Sequence, residues 1–202
     1  MFVQVIQGKV SDAAQVREHL DKWVSEVSPG ATGWLGSTGG VTEDGNLVAL
    51  VRFESEEAAQ QNSDRPEQSE WWEKMASFFT DEPTFHNSTH VEADTPGDPG
   101  KAGFVQVMQG RTSDPARARE MMSDDSADWS EFRPDILGSV SVEHDSDAWT
   151  MAMYFTSEEE ARQGEQKPPP PEMEQMMKEM DSLMVGETAY FDLKDPWMHA
   201  PG

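Results

Sequence analysis

Apolar and β-branched residues fill Phe2–Gly8, broken only by Gln4 and Gln7, and the pattern predicts a first strand. Val16, Leu20, Trp23, Val24 and Val27 then recur at helical spacing, so an amphipathic helix follows, with Asp12 placed to cap it. Gly33–Val41 and Asn46–Phe53 flank Thr-Glu-Asp-Gly, a hairpin signal. Ser55 with Glu56 and Glu57 opens a short helix, because a hydroxyl and early acids satisfy the free N–H groups of a first turn. A second helical stretch from Pro66 sets Trp71, Met75 and Phe78 on one face. Thr84–Val91 is the expected last strand, with His86 and His90 on one face by alternation.

The whole pattern then repeats at an offset of 102 residues. FVQVIQGKVSD at 2–12 becomes FVQVMQGRTSD at 104–114, and Leu35-Gly36-Ser37 becomes Leu137-Gly138-Ser139. Phe53, Ser55, Glu56, Glu57 and Ala59 match Phe155, Ser157, Glu158, Glu159 and Ala161 without a gap. One register held this far is the mark of tandem duplication. Asp114-Pro115 gives the second copy the same helix start, with proline at the first helical position. The organisation read from this is a unit over 1–93, a Pro/Gly/Asp-rich linker over 94–102, a second unit over 103–195 and a tail over 196–202. Each unit runs β-α-β-β-α-β, a ferredoxin-like order. Leu47, Ala49, Val51 and Phe53 alternate with Val48, Leu50 and Arg52, so the strand is apolar on both faces and expects cover on both. The expected fold class is α+β: two tandem ferredoxin-like units forming a fused α+β barrel.

Charge narrows the choice of partners. The net charge is −24, with seven basic against eighteen acidic residues in 1–101 and eight against twenty-one in 102–202. A nucleic-acid partner is not expected, since phosphate needs a basic footprint. No apolar run reaches the roughly 18–20 residues of a membrane helix, and Phe2 enters a strand pattern with no basic, apolar leader. With no cysteine, disulfides and thiol catalysis are excluded, and a cytoplasmic location is expected.

The strand openings FVQVIQGKV and FVQVMQGRT, the segments VRFESEEAAQQ and MYFTSEEEARQ, and the β-α-β-β-α-β order resemble the dimeric α+β barrel superfamily. Within it they resemble the antibiotic biosynthesis monooxygenase-like (ABM-like) group. The resemblance implies a pseudo-dimer within one chain, a monomer or a weak homodimer in solution, and a small aromatic ligand. It also implies a cofactor-independent monooxygenase acting on a quinol-type compound; the alternative is a non-catalytic small-molecule-binding or stress-related barrel. Haem-degrading members of the superfamily pair a strand-1 Asn with a helix-2 Trp and a His. Here those places fall near Ile6 or Gln7, near Asn62 and near Trp71-Trp72. Neither half keeps the set, so haem is disfavoured and no cofactor is expected.

Candidate chemistry is sparse. His86 could line a helix-side cavity as a general base, and Arg52 could stabilise an anionic oxygen, with Tyr154 in its place in the second copy. Trp71, Trp34 and Trp149 could wall an aromatic pocket, although aromatic residues at such spacing also pack cores. Gln4 lies in an otherwise apolar strand, as does Gln106, and a buried amide must find partners. His19, His144 and His199 read as helix-surface, turn and tail residues, and no spacing suggests a metal site. The methionines of the last helix, from Met173 to Met184, read as adaptable core.

Overall fold

The computed structural model describes residues 1–123 and 129–201, which divide into two units: Met1–Val91 with Leu193–Gly202, and Glu92–Asp192. In chain order the elements up to the second unit are β1 (Phe2–Lys9), α1 (Ala13–Lys22), β2 (Trp34–Val41), β3 (Asn46–Phe53), α2 (Glu56–Ser63), α3 (Pro66–Ala76) and β4 (Thr84–Ser88). There follow β5 (Val91–Asp94), β6 (Phe104–Thr112), α4 (Pro115–Met122), α5 (Trp129–Phe132), β7 (Ile136–His144) and β8 (Ala148–Phe155). The chain closes with α6 (Glu158–Glu165), α7 (Pro171–Leu183), β9 (Met184–Leu193) and β10 (Trp197–His199).

The caps form where the sequence puts them. The Asp12 carboxylate accepts from the N–H groups of Ala14 and Gln15 at 3.0 Å, and Ser55 Oγ accepts from the N–H of Ala58 at 3.1 Å. Asp114 and Ser157 do the same for α4 and α6. α1 continues into a π turn over Trp23–Val27, which carries Trp23 and Val27 inward.

The two sheets run β10-β2-β3-β1-β4 and β5-β7-β8-β6-β9. Four strands of each repeat the ferredoxin-like order, and the fifth is a short strand, β10 in one sheet and β5 in the other, that follows the last strand of a copy in the chain. The last strand of the first copy stops at Ser88, short of Val91, because Ser88 Oγ takes the N–H of His90 at 2.9 Å and turns the chain. His90 therefore lies outside β4, and does not share a strand face with His86. The segment expected as linker contributes Asp94 to β5 and a 3-10 turn over Pro99–Lys101, while the segment expected as tail contributes β10.

Register assigns the faces, because directly opposed residues in an antiparallel pair share a side. Phe2, Gln4 and Ile6 of β1 oppose Phe53, Val51 and Ala49 of β3. This face meets the helices. Phe2, Trp34 and Phe53 pack with Trp23, Val27, Ala31 and Ala59, and Leu47 packs with Val16, Met75, Phe78 and Trp197. The other face carries Val3, Val5, Val48 and Leu50, all at most 1% exposed. Each such side chain contributes roughly 1.5–3 kcal/mol on leaving water. Among the described residues no helix is long and apolar enough to cross a membrane.

Candidate active site in the first unit

The helix-side face of the first sheet does not pack shut. A cavity of about 250 Å³ lies between it and the helices. The floor is Ile6, Ala49, Val51 and Gly39, where β1, β3 and β2 bring short side chains together. Trp23, Trp71, Trp72 and Met75 form the helical wall, and Phe85 and Trp197 close the sheet edges. The walls are held by their own contacts. Trp71 donates its Nε1–H to the carbonyl of His19 at 3.0 Å, and Trp23 donates to Gln68 Oε1 at 2.6 Å. Apolar space of roughly 150 Å³ accepts a benzene, so this cavity is sized for one or two rings.

Polar groups enter the cavity at separate points. Asn62 is buried, and its Oδ1 accepts from Arg65 Nη1 at 3.0 Å. That bond orients the amide and leaves its NH₂ without a protein partner among the described residues. Gln4 donates Nε2–H to Asn87 Oδ1 at 3.1 Å across the β1–β4 pair. His199 enters from β10, directly opposite Ser37, and the Asp21 carboxylate stands 3.4 Å from its Nε2. Among the described residues, His199 is the one ionisable side chain that lines the cavity.

β10 can lie this close because Gly36 has no side chain. Its φ is +128°, at the bulge of β2, and a Cβ there would stand 2.6 Å from the carbonyl oxygen of His199. Only glycine takes that backbone angle without strain.

The second unit carries longer side chains at the corresponding floor positions: Met108 for Ile6, Met151 for Ala49 and Met153 for Val51. Met153 packs against Phe104, Phe155 and Ala161. Arg162 sits over the Phe104 ring at 5.3 Å and pairs with Asp192, which in turn accepts from Gln106 Nε2 at 2.8 Å. Tyr154 opposes Val105 on the face that holds Val107, and Trp149 packs along Gly110 with its Nε1 unpartnered.

Solved structures of the same architecture exist. A protein from Lactobacillus acidophilus described as a candidate monooxygenase superposes with a TM-score of 0.72 at 11% identity, covering 98% of each chain. One of the same description from Fusobacterium nucleatum gives 0.74 at 8% identity, covering 100% of this chain and 94% of its own. An anthrone oxidase-like protein gives 0.64 at 8% identity, covering 98% of this chain and 92% of its own. At these identities the likeness is one of fold. The sequence matches no protein-family model and no curated protein.

Within this fold the structure brings together some of the residues read from the sequence and separates others. Gln4 and Trp71 line the cavity. His86 and Arg52 do not: His86 opposes Val5 and Arg52 opposes Val3, on the face away from the helices. Alternation along a strand says which residues share a side, but not which side meets the helices, and here His86 falls in the other phase. Trp34 lies beside Trp23 at 4.8 Å between ring centroids, in the core next to the cavity, with a buried, unpartnered Nε1. Trp149 and Tyr154 belong to the second unit. Ile6, Asn62, Trp71 and Trp72, which occupy the haem-related places, do converge on the cavity. An indole offers no lone pair to iron, so Trp71 and Trp72 do not fit haem ligation. The residues missed by the sequence reading are Trp197 and His199; the only signal was their two-residue alternation in Trp-Met-His.

Proposed function

We propose that the first unit is a small-molecule oxygenase of the ABM-like kind, taking a compact phenolic or quinol-type compound into its aromatic cavity. The observation that carries this is the combination of indole and phenyl walls with separate polar groups, Asn62 and His199 among them, in one concave space. Cavities of this make-up, apolar with a few convergent polar groups, are where ligands bind. The descriptions of the structural neighbours as monooxygenases and an anthrone oxidase-like protein agree with it.

The chemistry asked of the protein is modest. Ionising an activated hydroxyl or methylene raises electron density on the ring, which then reduces dioxygen directly. For a ring methylene the balance is R₂CH₂ + O₂ → R₂C=O + H₂O, with all four electrons from the substrate. The chain's part is to hold the ring flat between Trp71, Trp72 and Trp23, to exclude water, and to hydrogen-bond the developing oxygen from the Asn62 NH₂. The second unit, with methionines at the matching floor positions, serves as scaffold.

The test is oxygen uptake with a panel of hydroquinones, naphthols and anthrones. Consumption near one O₂ per substrate, lost when Ala49 is replaced by Met, supports the oxygenase. Saturable binding without uptake would favour the non-catalytic binding protein instead.

A further inference from the structure

Resting on the cavity reading above, we propose that His199 is the proton acceptor of this site: it takes the acidic proton of a ring hydroxyl through Nδ1, with Asp21 setting its tautomer. Three observations lead there. First, no other titratable side chain among the described residues lines the cavity, so an acidic ligand proton has one destination among them. Second, Asp21 Oδ1 faces Nε2 at 3.4 Å. A carboxylate at Nε2 favours the tautomer with its proton on that nitrogen, and leaves the Nδ1 lone pair open. Nδ1 has no partner among the described residues. Third, the imidazole is held: its side chain is only 18% exposed, its strand is paired to β2, and Gly36 admits its backbone closely.

The step moves one proton. The ligand O–H bond breaks, its electron pair stays on oxygen, and an N–H bond forms at Nδ1. The resulting imidazolium faces the Asp21 carboxylate, as an acid–imidazole pair requires. The surrounding charges leave the position clear. Arg17, one turn before Asp21 on α1, is occupied by Asp195. Arg52 lies on the opposite face of the sheet, opposite Val3. His19 is not a competitor, since its Nε2 meets the carbonyl oxygen of Trp71 and its ring stacks on the Trp71 indole.

The assignment is tested with a matched pair of probes, 4-nitrophenol and 4-nitroanisole, which differ by the acidic proton. Binding is read by tryptophan quenching, and ionisation by the phenolate absorbance band at a pH one unit below that of half-ionisation of the free dye. In the wild type, bound 4-nitrophenol is expected mainly as phenolate. In His199→Asn the ratio of phenolate to phenol on the protein is expected to fall at least tenfold, and 4-nitrophenol is expected to lose more affinity than 4-nitroanisole. Asp21→Asn, on the surface of α1, should give an intermediate loss and checks that the effect is not one of misfolding. A phenolate band that persists in His199→Asn overturns the assignment, as does a wild type that binds both probes with no band; either result leaves the cavity reading standing. If neither probe binds the wild type, both the cavity reading and the assignment fall.

Discussion

His19 and Trp71 are bound to each other three times over. Their rings stack with centroids 5.0 Å apart and planes 3° apart. His19 Nε2 lies 2.9 Å from the carbonyl oxygen of Trp71, and Trp71 Nε1–H donates to the carbonyl of His19 at 3.0 Å. The pair ties α1 to α3 and fixes the indole that walls the cavity. His19→Ala removes the stack and one hydrogen bond, so a cost of about 2 kcal/mol is expected. For a chain of this size that is a fall of about 4–8 °C in Tm. Calorimetry checks it, and weaker binding of aromatic probes should accompany it because Trp71 gains freedom.

Gly36→Ala tests the C-terminal strand. The substitution meets both the positive φ and the His199 carbonyl, at a cost of roughly 1–3 kcal/mol. The expected result is detachment of β10 before global unfolding, read as faster amide exchange at Trp197–His199 with β1 and β3 still protected.

The duplicated caps offer a paired test. Ser55 and Ser157 each take one helix N–H, at 3.1 and 3.2 Å. Ser55→Ala and Ser157→Ala should each cost about 1 kcal/mol, and the double variant should show their sum in denaturant melts.

Glu92 gives a pH dependence. Burial first, and Glu143 second, raise its carboxyl above the usual range, against Arg119. A carboxyl that holds its proton more tightly in the folded chain favours folding at low pH, and that contribution is lost as pH rises from the unfolded to the folded pKa. Glu92→Gln should therefore raise Tm near pH 7.5 and leave it unchanged near pH 3.5, where both forms are neutral in either state. Thermal melts at the two pH values decide it.

Much of the fold could be read from the chain, for local reasons. Caps, hairpin and helix faces depend on neighbours within a few residues, and Asp12, Ser55 and the Thr42–Asn46 turn behave accordingly. The repeat doubled each of those signals. The site was less legible, for two physical reasons. His86 was placed on the right strand but in the wrong phase, since period-two alternation carries no information on which face the helices cover. His199 sits in a strand of three residues, Trp197–His199, whose partner strand β2 begins at Trp34, so no local pattern links them. The longer side chains of the second unit could be anticipated only by comparing Ala49 with Met151 once both were known to take equivalent places in their sheets.

That comparison also supplies the most direct measurement. Ala49→Met places in the first cavity the side chain that the second unit carries at the matching position. Because it fills existing space, the folding cost should stay under about 1 kcal/mol, less than the usual penalty of overpacking. The measurement is a fluorescence titration of wild type and Ala49→Met with 1-naphthol, following tryptophan emission. The account predicts saturable binding of one naphthol per chain in the wild type and at least a tenfold loss in Ala49→Met, with both proteins folded. Equal affinity in the two proteins, or no binding to the wild type, would contradict it.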